Sequence, residues 1–221
     1  MPIPVAIAPA LAHRVRLGVL ELEGLTVREA DAGLADEVDR YCDALRRQHA
    51  GASSGEVPGV AEARALYKAL GLDPTKTRPA SEALLRRMLK GEALYRVNTL
   101  VDALNLCSLR AQLPFGLYDL DQIHPPVVLR LGEAGEAYEG IRKGPVRVDG
   151  RPTLADALGP FGNPTSDSAR TMIRTSTRRA LVTVFAPGDC PPHRLEAVLM
   201  DTEATLTRFS GGSASHRTVL P

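Results

Sequence analysis

The chain has 221 residues, enough for one globular domain with a full hydrophobic core. Hydrophobic residues make up 44% and charged residues 24%, the balance of an ordinary globular protein. A net charge of +1 excludes a surface that grips nucleic acid throughout, and 4% aromatics without Trp exclude broad base-stacking platforms, so any contact with nucleic acid is a local patch.

The N-terminal region opens with two alternating stretches, Ile3-Val5-Ile7 and Val15-Leu17-Val19, which predict strands of a sheet edge or hairpin. From about 32 to 50 the apolar residues Leu34, Val38, Tyr41, Cys42 and Leu45 share one helical face. Residues 51–59, GASSGEVPG, predict a loop. A helix carrying Val60, Ala63, Leu66, Tyr67 and Leu70 follows and ends at Gly71. The next helix starts at Arg78-Pro79 and runs through Leu84, Leu85, Met88 and Leu89 to Gly91. Arg86, Arg87 and Lys90 sit near its C-terminus, where cations offset the helix dipole. Arg78 with Ser81, at its start, forms either a surface cap or a phosphate- or carboxylate-binding terminus.

The most informative helix is predicted from about 97 to 111. Val97, Leu100, Val101 and Leu104 form its apolar stripe, and Asn98, Asp102 and Asn105 form a second, polar stripe at i, i+4, i+7. Asn and Asp are poor helix-interior residues because their side chains compete for backbone hydrogen bonds. Three in register describe a solvated face, the polar wall of a cavity or a buried network. The alternative is that Asp102 and Asn105 cap or tie neighbouring backbone. Pro114-Phe115-Gly116 breaks the helix, and 117–121 alternates as a strand that carries Tyr118 and Asp119.

Beyond 121 the texture is strand-like. Predicted strands are Val127–Leu131, a weaker one over 136–141, and a hairpin of 145–148 with 151–154 turning at Asp149-Gly150. Residues 159–164 predict a turn-rich loop leading into 166–171. Its Gly162, Ser166, Asp167 and Ser168 could offer N–H groups and hydroxyls to an anion or carbonyl oxygen, or simply make a tight connection. Leu181–Phe185 predicts a buried strand, about 192–209 a last amphipathic helix, and 210–221 a disordered tail. The whole is predicted as α+β, with a mixed, mostly antiparallel sheet packed against helices, in one domain over 1–209.

Cys42, Cys107 and Cys190 are odd in number and lack metal-type spacing, so free thiols in a reducing compartment are expected. The five histidines are scattered, and neither a metal nor a cofactor is predicted. No apolar run is long enough to span a bilayer and the N-terminus lacks a secretory signal, which predicts a cytosolic protein without a membrane partner. Arg86, Arg87 and Lys90, together with Arg174 and Arg178, are small basic groups: solvated faces, or contacts to an RNA backbone if they converge.

The run YRVNTLVDALNLCSLRAQLPFGLYDLD resembles a motif of the B3/B4 domain of the phenylalanyl-tRNA synthetase beta chain, through Arg96, Asn98, Val101, Asp102, Asn105, Pro114, Tyr118 and Asp119. It is closer still to stand-alone proteins of that domain family, which lack a catalytic synthetase module. The resemblance spans about 66–187, with 1–65 as an N-terminal extension. It implies a B3/B4-like fold and a domain that binds aminoacyl-tRNA or its amino acid, with trans-editing hydrolysis of mischarged tRNA as one activity open to it. DNA is not an expected partner. Other readings are a small-molecule enzyme or metabolite-binding protein without RNA, and a non-catalytic tRNA-binding module. Binding falls to Asn98, Asp102, Asn105, Tyr118, Asp119, Gly162, Ser166, Asp167 and Ser168, with Asp102 and Asn98 as catalytic candidates. A family histidine aligns with Gly116 and a family glutamate approximately with Thr183. Neither residue can activate water, so the synthetase's own editing mechanism does not transfer.

Overall fold

The longest strand pair sets the layout of the computed structural model, which describes all 221 residues. Strand β2 (Val15–Glu23) runs antiparallel to β10 (Ala180–Pro187), from Val15 opposite Pro187 to Leu22 opposite Ala180. Side chains alternate between the two faces of the sheet. Leu17, Val19, Leu181 and Phe185 therefore enter one core, while Leu20, Leu22, Val182 and Val184 enter another. Burial on both faces explains why 180–187 reads as an almost continuous apolar run.

Strand β3 (Phe115–Asp119) pairs with β10 on one side, and β11 (Ser213–Leu220) pairs with β2 on the other, giving the order β11-β2-β10-β3. The first core lies beneath four helices: α1 (Ala32–Gln48), α3 (Ala80–Leu89), α4 (Thr99–Ala111) and α5 (Pro192–Ser210). The second core joins the opposite face to a five-stranded sheet and to Leu66, Tyr67 and Leu70 from α2 (Val60–Ala69) and its end. That sheet contains β1 (Val5–Ile7), β4 (Val127–Leu131), β7 (Pro152–Asp156), β8 (Gly159–Asn163) and β9 (Ser166–Asp167), in that order. A small hairpin, β5 (Ala137–Glu139) with β6 (Pro145–Arg147), stands beside β9. Only β1 and β4 pair in parallel; the other pairings between these strands are antiparallel. The architecture is α+β.

Four expectations are corrected. The tail is not disordered: 213–220 forms β11, because Val219 and Leu220 pack half-buried and the strand satisfies the outer edge of β2. Residues 159–163 form a strand, not a loop. Asp149-Gly150 does not turn a hairpin between 145–148 and 151–154, since β6 pairs with β5 while β7 pairs with β4. Val97 lies outside α4 and is 44% exposed, so it is not part of the apolar stripe. The loop over 51–59 holds one short 3-10 turn, where Ser53 and Glu56 form a capping box.

Candidate functional site

Asn98 and Asp102 are both buried, but they serve the start of α4. Asn98 is the N-cap, and its Oδ1 accepts from Val101 N at 3.0 Å. Asp102 reaches back one turn and accepts from Val97 N at 2.9 Å; burial raises its pKa, and that hydrogen bond counters the rise. Asn105 follows, half-buried, on the same helix. Asp119 is likewise occupied, accepting from Thr177 Oγ1 at 2.7 Å and from Asp121 N at 3.1 Å.

The helical row and the 162–168 segment do not share a hollow. Leu100, Leu104 and Leu117 belong to the core beneath the helices, whereas Tyr118 and Phe161 belong to the core between the sheets. The polar stripe and the turn-rich segment therefore flank opposite faces of the four-stranded sheet.

The second face carries the denser polar arrangement. Gly116 and Thr183 are direct cross-strand partners, and Tyr118 points to the same side two residues along β3. The Tyr118 ring is fully buried and meets Phe161 edge-on, with centroids 4.9 Å apart. Its hydroxyl occupies the volume that a Cβ on either Gly116 or Gly162 would need. Glycine at both positions is thus what admits the phenol. An imidazole at 116 has no room while Tyr118 is in place.

Asp167 closes this arrangement from β9. Burial pushes its carboxyl up to about 7, against the opposing effects of the Tyr118 hydroxyl, the Leu117 N–H and the Lys143 ammonium. Burial also raises the Tyr118 phenol far above its ordinary value, and the Asp167 charge adds to the rise. The residue Asp167 keeps partial exposure, but its Oδ1 is buried. Asp167 Oδ1, Tyr118 Oη and Thr183 Oγ1 are buried without a well-formed hydrogen bond, although the Tyr118 hydroxyl is near enough to the other two for each to affect its titration. Buried polar atoms are normally paired, so such a concentration is unusual.

The surrounding segment is held firmly. Asn163 Oδ1 accepts from Thr165 N and Ser166 N, and its Nδ2 donates to Tyr138 Oη at 2.9 Å. Tyr138 donates to Ser166 O at 2.5 Å, and Tyr67 donates to Pro164 O at 2.7 Å. Ser168 Oγ accepts from Arg170 N at 3.0 Å. Lys143, on the exposed tip between β5 and β6, donates to Ser166 Oγ at 2.6 Å. Gly162, Ser166, Asp167, Ser168 and Tyr118 are therefore brought together, without Asn98, Asp102 or Asn105.

The model of the B3/4 domain matches residues 62–188, more than half of the chain. The chain belongs to the B3/4 domain family. Strands β2 and β11, which form one half of this B3/4 domain's four-stranded sheet, lie outside the matched segment. A crystal structure of an N-terminal fragment of the phenylalanyl-tRNA synthetase beta-subunit from Pyrococcus horikoshii is similar over 100% of this chain, with a TM-score of 0.51 and 13% identity. This chain spans 55% of that one, and at such identity the likeness shows the fold alone. No curated protein matches the sequence.

Sequence reasoning held Asn163 and Thr171 within the turn-rich segment without a role of their own and Lys143 within a basic group, and it missed Tyr138 and the Thr183 hydroxyl. The period-two alternation of β3 and β10 could have placed Gly116, Tyr118 and Thr183 on one face, but not Lys143, which arrives from a separate hairpin. Among the basic residues, Arg86, Lys90 and Arg174 are exposed, Arg87 is tied to Glu92 at 2.9 Å, and Arg178 donates to Thr175 O and Thr177 O. No group of three His, Cys, Asp or Glu is placed to hold a metal ion, and all three cysteines are buried free thiols. No helix is long and apolar enough to cross a membrane.

Proposed function

We propose that this B3/4 domain acts on the aminoacylated end of a tRNA and hydrolyses mischarged ester, with Asp167 as the group around which the chemistry is organised. The observation that carries this reading is a carboxyl buried beside the Tyr118 hydroxyl, which Thr183 also faces, with its pKa raised to about 7. A base poised near neutrality combines a useful ionised fraction with proton affinity. Ionised Asp167 takes a proton from water as the water oxygen attacks the ester carbonyl carbon. The bond from that carbon to the ribose oxygen then breaks, and the proton passes from Asp167 to the leaving oxygen. Lys143, beside Asp167, faces the negative charge that develops on the carbonyl oxygen. Ser166 holds Lys143 through its Oγ, and Arg174 and Arg178 supply phosphate contacts.

Asn98, Asp102, Asn105 and Asp119 hold the framework in this reading and take no part in the chemistry. A histidine–glutamate arrangement at 116 and 183 is not used, because Gly116 and Thr183 occupy those positions. The second reading is an amino-acid-like small molecule bound without RNA, favoured by the buried Tyr118 ring and the net charge of +1. Deacylation of a panel of mischarged tRNAs by the natural chain and by Asp167→Asn tests the first reading. Turnover that the substitution abolishes supports it; absence of turnover with every tRNA leaves the second.

A further inference from the structure

A shallow cleft of about 280 Å³ lies on α3 and the segment that follows it, lined by Arg78, Arg86, Arg87, Lys90, Glu92 and Tyr95 among others. Four cations face one carboxylate, and that carboxylate is engaged by Arg87 at 2.9 Å. Arg78 approaches Glu82 only through Nε, at 3.6 Å, and this Nε is buried without a hydrogen bond. Glu82 is already bound by Arg64 at 2.6 and 2.8 Å and by Ser54 at 2.9 Å. Arg86 and Lys90 are exposed one helical turn apart and belong to none of the ion pairs of the fold.

Like charges at i, i+4 oppose helix stability. The helix dipole accounts for cations in the last turn, but not for Arg78 converging from the other end of α3. Nor does it account for Tyr95, which is 62% exposed beside the cations. Arg87 fixes that ring: its guanidinium lies 4.2 Å from the centroid, while Nε donates to Ala93 O at 2.5 Å. The cleft thus combines surplus positive charge with a flat, preset aromatic surface.

We infer that this cleft binds a nucleotide through its phosphate, with Arg78, Arg86 and Lys90 on the phosphate oxygens and the base against Tyr95. The nucleotide is either free or part of a single-stranded RNA. The inference stands on α3 and Tyr95 and does not need the reading of Asp167.

The test measures binding of AMP, a 5′-phosphorylated single-stranded RNA heptamer and inorganic phosphate to the full chain across a salt series. Arg86→Ala/Lys90→Ala is expected to weaken nucleotide binding at least tenfold. If the heptamer is the ligand, its salt slope falls by about 1.4, two contacts at about 0.7 each for a single strand. Tyr95→Ala is expected to weaken AMP or heptamer several-fold and leave inorganic phosphate unchanged. Tight binding of AMP alone identifies a free-nucleotide site; a preference for the heptamer identifies RNA. The inference is overturned if neither nucleotide binds, or if binding survives the Arg86/Lys90 and Tyr95 substitutions.

Discussion

Tyr118 Oη and Asp167 Oδ1 meet at the seam between the two sheets, both buried without a well-formed hydrogen bond, although they come from strands of different sheets. The phenol is admitted because Gly116 and Gly162 carry no side chain, and the carboxyl is kept uncharged over the acidic range by burial.

The first prediction concerns packing. Gly162→Ala forces a Cβ into the Tyr118 ring and should destabilise the fold by about 1–3 kcal/mol, as overpacking does. Urea denaturation measures it. In Tyr118→Ala the same substitution should cost less, since the volume it needs has been freed.

The pH dependence of stability has a definite sign. The Asp167 pKa is raised in the fold relative to the unfolded chain, so between about pH 4 and about pH 7 the folded state holds a proton that the unfolded state has lost. Its contribution is fully present below the unfolded pKa and is lost as pH rises through about 7. Denaturation of Asp167→Asn should show a shallower decline over this window than the natural chain. An identical decline in both would place the titrating group elsewhere.

Tyr118→Phe removes a hydroxyl that makes no well-formed hydrogen bond, so stability should change by less than about 1 kcal/mol. Because that hydroxyl holds the Asp167 pKa down against burial, the carboxyl should titrate at higher pH in this variant, as carbon NMR of the carboxylate would record.

Asn98→Ala should cost about 0.5–2 kcal/mol through loss of the α4 cap. Deacylation corrected for folded fraction should not change. Selective loss of turnover at full stability would return Asn98 to the reacting centre.

Deletion of residues 212–221 should destabilise the chain by on the order of 3 kcal/mol, or roughly 6–12 °C in thermal midpoint, because the edge of β2 and the residues packed beneath β11 are uncovered. Unchanged melting would mean that β11 adds nothing to the sheet.

Much of the scaffold was legible because periodicity reports burial directly. Leu34, Val38 and Cys42 on α1, and the run 181–185, lie in the cores that their spacing implied. Segments governed by distant partners were not legible. The small and polar residues of 210–221 look disordered until β2 offers an edge, and Gly159 to Asn163 reads as a loop until β7 and Tyr118 are in place. The polar stripe of α4 was visible, but its first residue proved to be the cap, which turned the expected cavity wall into a helix start. Asp167 was named as one member of a turn-rich segment, whereas Lys143 beside it, and the Thr183 that faces Tyr118, come from other parts of the chain.

The most direct test is the pH profile of deacylation of a mischarged tRNA under single-turnover conditions, for the natural chain and for Asp167→Asn with its fold verified. The account predicts a rate that rises through about pH 7 in the natural chain and a low, flat rate in the variant. A profile that is the same in both proteins would contradict it.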